Sequence, residues 1–272
     1  MLLPNPHILK RIIAVAICCL FVFVGFSQSS AEEIRFGLEQ LKSKEYEAAM
    51  LSFTKAIEKD STNVEAYTHR GREYFFKNNY FAALQDFNTA LKFNPKHYIT
   101  RCYKGRLLAA LGDYKKAFKQ YQIAIELEPI SSYAYRLRGV DKFDIKDYKG
   151  AADDLYMAIE INPKQPAYTF LYSGISKIKL GNEKGALKDF RAYGLLTKKE
   201  VNIYEMMGDE YVKINKYDIA LKAYDDAILL KATDNLMMKR GALKINRGDK
   251  TGAFHDFTKV EVFNLMLNYL VF

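Results

Sequence analysis

The sequence predicts an all-α chain built as an array of about seven helix–turn–helix units. Three observations carry this. Glycines recur at Gly37, Gly71, Gly105, Gly139, Gly174, Gly208 and Gly241, spaced 34, 34, 34, 35, 34 and 33 residues apart. Twelve residues after every one of them stands an alanine: Ala49, Ala83, Ala117, Ala151, Ala186, Ala220 and Ala253. Between glycine and alanine lies a pair of residues rich in turn formers, and nowhere does a two-residue alternation replace the helical period. A fixed period of this length is the mark of a repeat architecture. The composition agrees: 49% hydrophobic and 27% charged residues exclude a disordered chain and a multi-span membrane protein, and only 6 prolines exclude a Pro-rich stalk.

The first element, residues 1–31, stands apart. It has no acid, ends its polar start with Lys10-Arg11, runs through fifteen uncharged residues from Ile12 to Phe26, and then becomes small and polar. This is the pattern of a secretory signal peptide. Two small-x-small cleavage points fit, after Ala31 and after Ser27, and the boundary is drawn at Ala31. The rival reading is an uncleaved anchor over residues 12–26, although a spanning helix needs about 20 apolar residues. Either way the body of the protein is expected to be exported, to a periplasm or secreted. An uncleaved N-terminus would bring membrane contact. Removing residues 1–31 lowers the net charge from +9 to +7 and leaves Cys102 as the single cysteine, so no internal disulfide is expected.

The array, residues 32–263, follows unit by unit. Its small residues let two helices approach closely. Four residues after each alanine comes a large side chain on the same helical face: Phe53, Phe87, Tyr121, Leu155, Phe190, Tyr224 and Phe257. It is expected to fill the seam between the helices. Three further on stand Ala56, Ala90, Ala124, Ala158, Tyr193, Ala227 and Val260. Tyr46, Tyr80, Tyr114, Tyr148 and Tyr217 lie nine residues after their glycines. The intervening turns read Lys44-Glu45, Asn78-Asn79, Gly112-Asp113, Lys146-Asp147, Gly181-Asn182, Asn215-Lys216 and Gly248-Asp249. Pro95, Pro129 and Pro163 close units two, three and four, where they end one helix and suit the first turn of the next.

With these positions in hand, the sequence resembles the tetratricopeptide repeat family over roughly residues 30–263. The departures are Ser61, Lys198 and Ala232 where proline is usual, and Glu183 and Lys250 at the tyrosine position. The resemblance implies a right-handed α-solenoid whose first helices line a concave groove, and a binding role for peptides or helices of other proteins. Most members are not enzymes.

The charges divide into two sets. Wherever arginine precedes the repeat glycine, aspartate precedes the large residue of the second helix: Arg70 with Asp86, Arg138 with Asp154, Arg240 with Asp256. These pairs are expected to bridge the two helices of a unit and fix their register. Asp189 has no such arginine. By resemblance, groove-facing positions lie three before the glycine and just after it, which gives Thr68, Arg72, Cys102, Arg106, Arg136 and Val140. A groove with three arginines suits an acidic segment or a free carboxylate of a protein partner. The family's carboxylate-clamp pattern asks for Lys and Asn where unit one has Ile34 and Leu38, so that particular specificity is not expected.

Nothing nominates an enzyme or a cofactor. The histidines His7, His69, His97 and His255 do not cluster, and no metal-ligand spacing occurs. Gly181–Lys188 lacks the lysine after the second glycine that a phosphate loop needs. The basic excess is spread among 32 acids without a nucleic-acid motif, so no nucleic acid is expected. The last element, residues 264–272 (Asn-Leu-Met-Leu-Asn-Tyr-Leu-Val-Phe), is almost wholly apolar. It reads as a segment folding back on unit seven, a docking element or a dimer contact.

Overall fold

The computed structural model describes residues 30–197 and 203–260. Among them every regular element is an α-helix. The chain divides into two compact units after Leu137. In the N-terminal unit, α1 (residues 30–42) pairs with α2 (Tyr46–Lys59), α3 (Val64–Phe76) with α4 (Tyr80–Phe93), and α5 (Tyr98–Ala110) with α6 (Tyr114–Leu127). The division falls within α7 (Ser132–Asp144). The C-terminal unit continues with α8 (Tyr148–Ile161), α9 (Ala167–Lys179), α10 (Glu183–Thr197), α11 (Ile203–Lys213), α12 (Tyr217–Leu230), α13 (Asp234–Asn246) and α14 (Lys250–Phe257).

The helices of each pair leave no room for a side chain at the repeat glycine. A Cβ on Gly105 would stand 2.6 Å from the Tyr121 ring, and one on Gly208 would stand 2.5 Å from Tyr224. The same holds at every repeat. In unit four the opposing group is the branched Leu155, at 2.9 Å. The glycine therefore exists to admit the large residue of the second helix, and the alanine one turn before that residue is buried beside it.

Each two-residue turn splits into two roles. Its first residue takes the left-handed conformation: Lys44, Asn78, Gly112, Lys146, Gly181, Asn215 and Gly248 have φ from 59° to 83°. Its second residue begins the next helix. Asn79, Asp113, Asp147, Asn182 and Asp249 each accept a hydrogen bond from the backbone N–H three residues on, which satisfies a free helix donor. Glu45 and Lys216 make no such bond. The closing proline is not indispensable. Asn94 and Asn162 accept from the N–H two residues on, across Pro95 and Pro163, and Asp60 does the same across Ser61 in unit one.

The boundary drawn at Ala31 falls inside α1. Ser30 is fully buried; its hydroxyl donates to the Ala56 carbonyl at 2.9 Å and accepts from Asn63 Nδ2 at 3.0 Å. The array thus starts at least two residues earlier than expected. Residues 1–29, with the apolar run 12–26, lie outside the described residues, as do Lys198 and the tail 264–272.

Candidate protein-binding face

The positions expected to line a groove separate into two kinds. Thr68 and Cys102 are completely buried, and Val140 nearly so. This corrects their reading as groove-lining residues. The physical reason is the packing of successive first helices: α3 meets α5, and Thr68 Oγ1 lies 2.6 Å from Thr100 Oγ1 across that seam. The small residue three before the glycine is covered by the next unit. Burial also pushes the Cys102 thiol up to about 12, only slightly opposed by Arg136, so it carries no thiolate chemistry.

The arginines are long enough to emerge. Arg72, Arg106 and Arg136 are each partly exposed, and all three belong to the N-terminal unit. Arg72 is already engaged: its Nε and Nη2 donate to Glu73 Oε1 at 2.9 and 2.8 Å, and Glu73 is buried. Arg136 lies over the Tyr133 ring, 5.0 Å from its centre, and Tyr133 meets Tyr103 edge-on at 5.9 Å. Tyr103 stacks on Phe87, and its hydroxyl bears on Arg72. Arginine and tyrosine therefore form a chain of contacts along α3, α5 and α7 within this unit. At one end of it a pocket of about 480 Å³ opens among Leu41, Tyr46, Glu47, Arg72, Glu73, Phe76 and Lys77. Its wall is largely apolar, with Arg72 and Glu73 as polar groups and the Lys77–Glu47 ion pair (2.7 Å) at its side. Such a pocket takes an apolar side chain and leaves a few polar groups to orient it. Tyr103, Tyr133 and Glu73 were not singled out from the sequence. Glu73 next to Arg72 was the available sign that this arginine has a partner of its own.

The other charged set is internal. Arg70 grips Asp86 through two bonds (2.9 and 2.8 Å), Arg138 grips Asp154 (2.8 and 2.7 Å), and Arg240 grips Asp256 (2.9 and 2.5 Å). Asp189 has a substitute: Lys177 Nζ reaches it at 2.5 Å. Lys142 and Lys244, equally placed three residues after their glycines, add second cations to Asp154 and Asp256 at 2.9 Å. Burial pushes the Asp256 carboxyl up, but the Arg240 and Lys244 donors outweigh it and leave the group below the usual carboxylate range.

The corresponding face of the C-terminal unit has another chemistry. Glu205 and Asp209 occupy the positions three before and just after Gly208, and Lys239 closes both, at 2.8 Å to each carboxylate. No group of three or more metal-ligating side chains occurs among the described residues, and none of their helices is long and apolar enough to cross a membrane.

Family models described as tetratricopeptide repeat match residues 68–129 and 102–166, and another matches residues 201–234. Together with the glycine seam and the seven equivalent turns, this settles the family. The chain is a tetratricopeptide repeat protein. The matched stretches are units two to four, which close with proline, and unit six, which has Ala232 there. Among solved structures of this fold, a tetratricopeptide repeat protein from Parabacteroides merdae aligns at 23% identity and TM-score 0.54, covering 87% of this chain and 93% of its own. PilW, a type IV pilus biogenesis factor, aligns at 17% identity and TM-score 0.61 over 73% of this chain and 92% of its own. PilF of Pseudomonas aeruginosa aligns at 17% and 0.51 over 74% and 91%. At these identities the likeness is one of fold. No curated protein matches. Tetratricopeptide repeat proteins are in general non-catalytic scaffolds for protein–protein interaction.

Proposed function

We propose that this protein is an exported, non-catalytic adaptor that holds a segment of another protein on the first helices of its N-terminal unit. The observation that carries the reading is the contact chain Arg136, Tyr133, Tyr103 and Arg72 beside an apolar pocket, with the partly exposed Arg106 on the same helix as Tyr103. Planar guanidinium groups on an aromatic support suit a carboxylate, and the pocket suits an apolar neighbour of that carboxylate. The partner is then an acidic segment or a free carboxyl terminus with an apolar anchor. Cross-linking capture from native extract, comparing the unaltered protein with Arg106→Glu/Arg136→Glu, tests this. Arg72 is left in place because Glu73 depends on it. One partner held by the native bait and weakened by at least about tenfold in the variant supports the reading. The same partner held equally by both moves the site elsewhere.

Export rests on the composition of residues 1–31. Of the two cleavage points, the one after Ser27 keeps Ser30 and its two buried hydrogen bonds, whereas the one after Ala31 removes them. The mature chain is therefore expected to begin at Gln28. N-terminal sequencing of the protein recovered from its compartment decides this, and a chain starting at Glu32 would refute it.

A further inference from the structure

The residue twenty-one positions after each repeat glycine changes character along the chain. It is Glu58, Lys92, Glu126 and Glu160 in units one to four, then Leu195, Leu229 and Val262 in units five to seven. All six of the described positions are exposed, near the C-terminal end of the second helix of their unit. The charged side chains there are ordinary solvent-facing residues. The leucines are not: Leu195 is 81% exposed and Leu229 83%, and their neighbours Leu196 and Leu230 are 50% and 70% exposed. Leu195 and Leu229 stand where the first four units are charged, and with Leu196 and Leu230, whose position is already apolar in units two to four (Phe93, Leu127, Ile161), they widen an apolar strip on α10 and α12. Such a strip marks a covered surface.

We infer that the strip is covered by this chain's own last residues, 264–272. Three features single out that occupant. The described chain stops at Val260, three residues beyond α14, at the same end of the same kind of helix that carries the leucines on α10 and α12. From Val262 to Phe272 the sequence has no charged side chain, so it matches Leu195 and Leu229 and is disfavoured against Glu58, Lys92, Glu126 and Glu160 at the same position of units one to four. The reach is sufficient: nine extended residues span about 30 Å, while two layers of packed helices separate α14 from α10 by about 20 Å. A tether also favours the tail over a second copy, because an attached segment acts at millimolar effective concentration and loses no translational freedom of a whole molecule.

The test is hydrogen exchange followed by mass spectrometry on the purified protein and on Leu195→Glu/Leu229→Glu. Glutamate is what units one, three and four carry at this position, so the array is expected to keep its helicity; Leu195→Met/Leu229→Met is the apolar control. Amides of residues 264–272 should be protected in the native and methionine proteins and lose at least about tenfold of that protection in the glutamate variant, since one buried leucine alone is worth that much in an equilibrium constant. Tail amides that exchange freely in the native protein overturn the inference, as does protection that survives the glutamates. A native-mass dimer dissociated by the glutamates would assign the strip to a second copy instead. Binding to phosphatidylglycerol vesicles lost on the same change, with the tail unprotected in solution, would assign it to a lipid surface.

Discussion

The two compact units are built on one framework and decorated in opposite ways. In both, a glycine meets a large side chain of the next helix, a left-handed residue turns the chain, and an Arg–Asp pair such as Arg70–Asp86 or Arg240–Asp256 ties the helices. On the first-helix face, however, the N-terminal unit carries Arg72, Arg106 and Arg136 with Tyr103 and Tyr133. The C-terminal unit has Glu205 and Asp209, closed by Lys239. The residue twenty-one positions after the glycine differs as well, charged in the N-terminal unit (Glu58, Lys92, Glu126) and leucine in repeats five and six (Leu195, Leu229). Fold and recognition are therefore encoded at different positions of the same 34-residue period, and either can change without the other.

The framework should be hardest to breach at Asp256. It is fully buried and held by Arg240 and Lys244. Asp256→Ala takes the carboxylate from Lys244 and leaves Arg240 with Asp225 alone, and is expected to cost the C-terminal unit about 3–5 kcal/mol. Asp189→Ala, which strands only Lys177, should cost less. Thermal unfolding of the two variants ranks them, and equal losses would show that the bidentate arginine adds nothing. The sign with pH follows from the lowered Asp256 carboxyl: its contribution is full above the ordinary carboxylate range and is lost as pH falls through the lower folded value.

The N-terminal unit has its own acid sensitivity, through a base. His69 stacks on Phe53 at 5.3 Å, and burial first, then the Arg72 charge, lowers its pKa to about 4. The unfolded chain binds that proton from about pH 6.5 downward while the folded unit does not, so stability falls between pH 6.5 and 4, by about 2 kcal/mol at pH 5. His69→Phe should remove this slope and keep the stack. Denaturant midpoints at pH 7 and 5, read by exchange in α3, compare the two proteins; a slope unchanged by the substitution would place its origin elsewhere.

The glycine seam offers a smaller and graded effect. Gly105→Ala drives a methyl group into the Tyr121 ring and is expected to cost about 1–3 kcal/mol. Gly139→Ala meets Leu155, which can change rotamer, and should fall at the low end. Melting temperatures of the pair measure the difference between a rigid and a flexible seam.

These positions also show what was legible beforehand. Spacing alone exposed the seam, the turns and the Arg–Asp pairs, because each is a local relation repeated at a fixed interval. What the sequence hid lies between repeats. Thr68, Cys102 and Val140 occupy the right helical face, but only the packed structure shows that they are buried there. Arg72 looked available because adjacent helical residues do not normally face each other, yet its long side chain curls back to Glu73. Lys177 was readable in principle, since lysine also stands three residues after Gly139 and Gly241; its meaning appears only once Asp189 is seen to need a cation. Ser30 was assigned to the leader because small residues are what a cleavage site and a tight helix contact both require.

The turns supply the finest test, one in each unit. Lys44 and Lys146 hold φ of 63° and 66°, where a side chain costs about 1–2 kcal/mol, while Gly112, Gly181 and Gly248 occupy the same place without that cost. Glycine at these sites relieves the strain but gives back part of it through the greater freedom of the unfolded chain, so Lys44→Gly and Lys146→Gly should each stabilise by no more than about 1 kcal/mol. Neither lysine is buried. Because repeat arrays sum local stabilities and nearest-neighbour terms, the gain should stay local. Hydrogen exchange is expected to slow in α1 and α2 for Lys44→Gly and in α8 for Lys146→Gly. A gain that spreads equally over both units would mean that they unfold as one, and the contrast between them would then concern their surfaces alone.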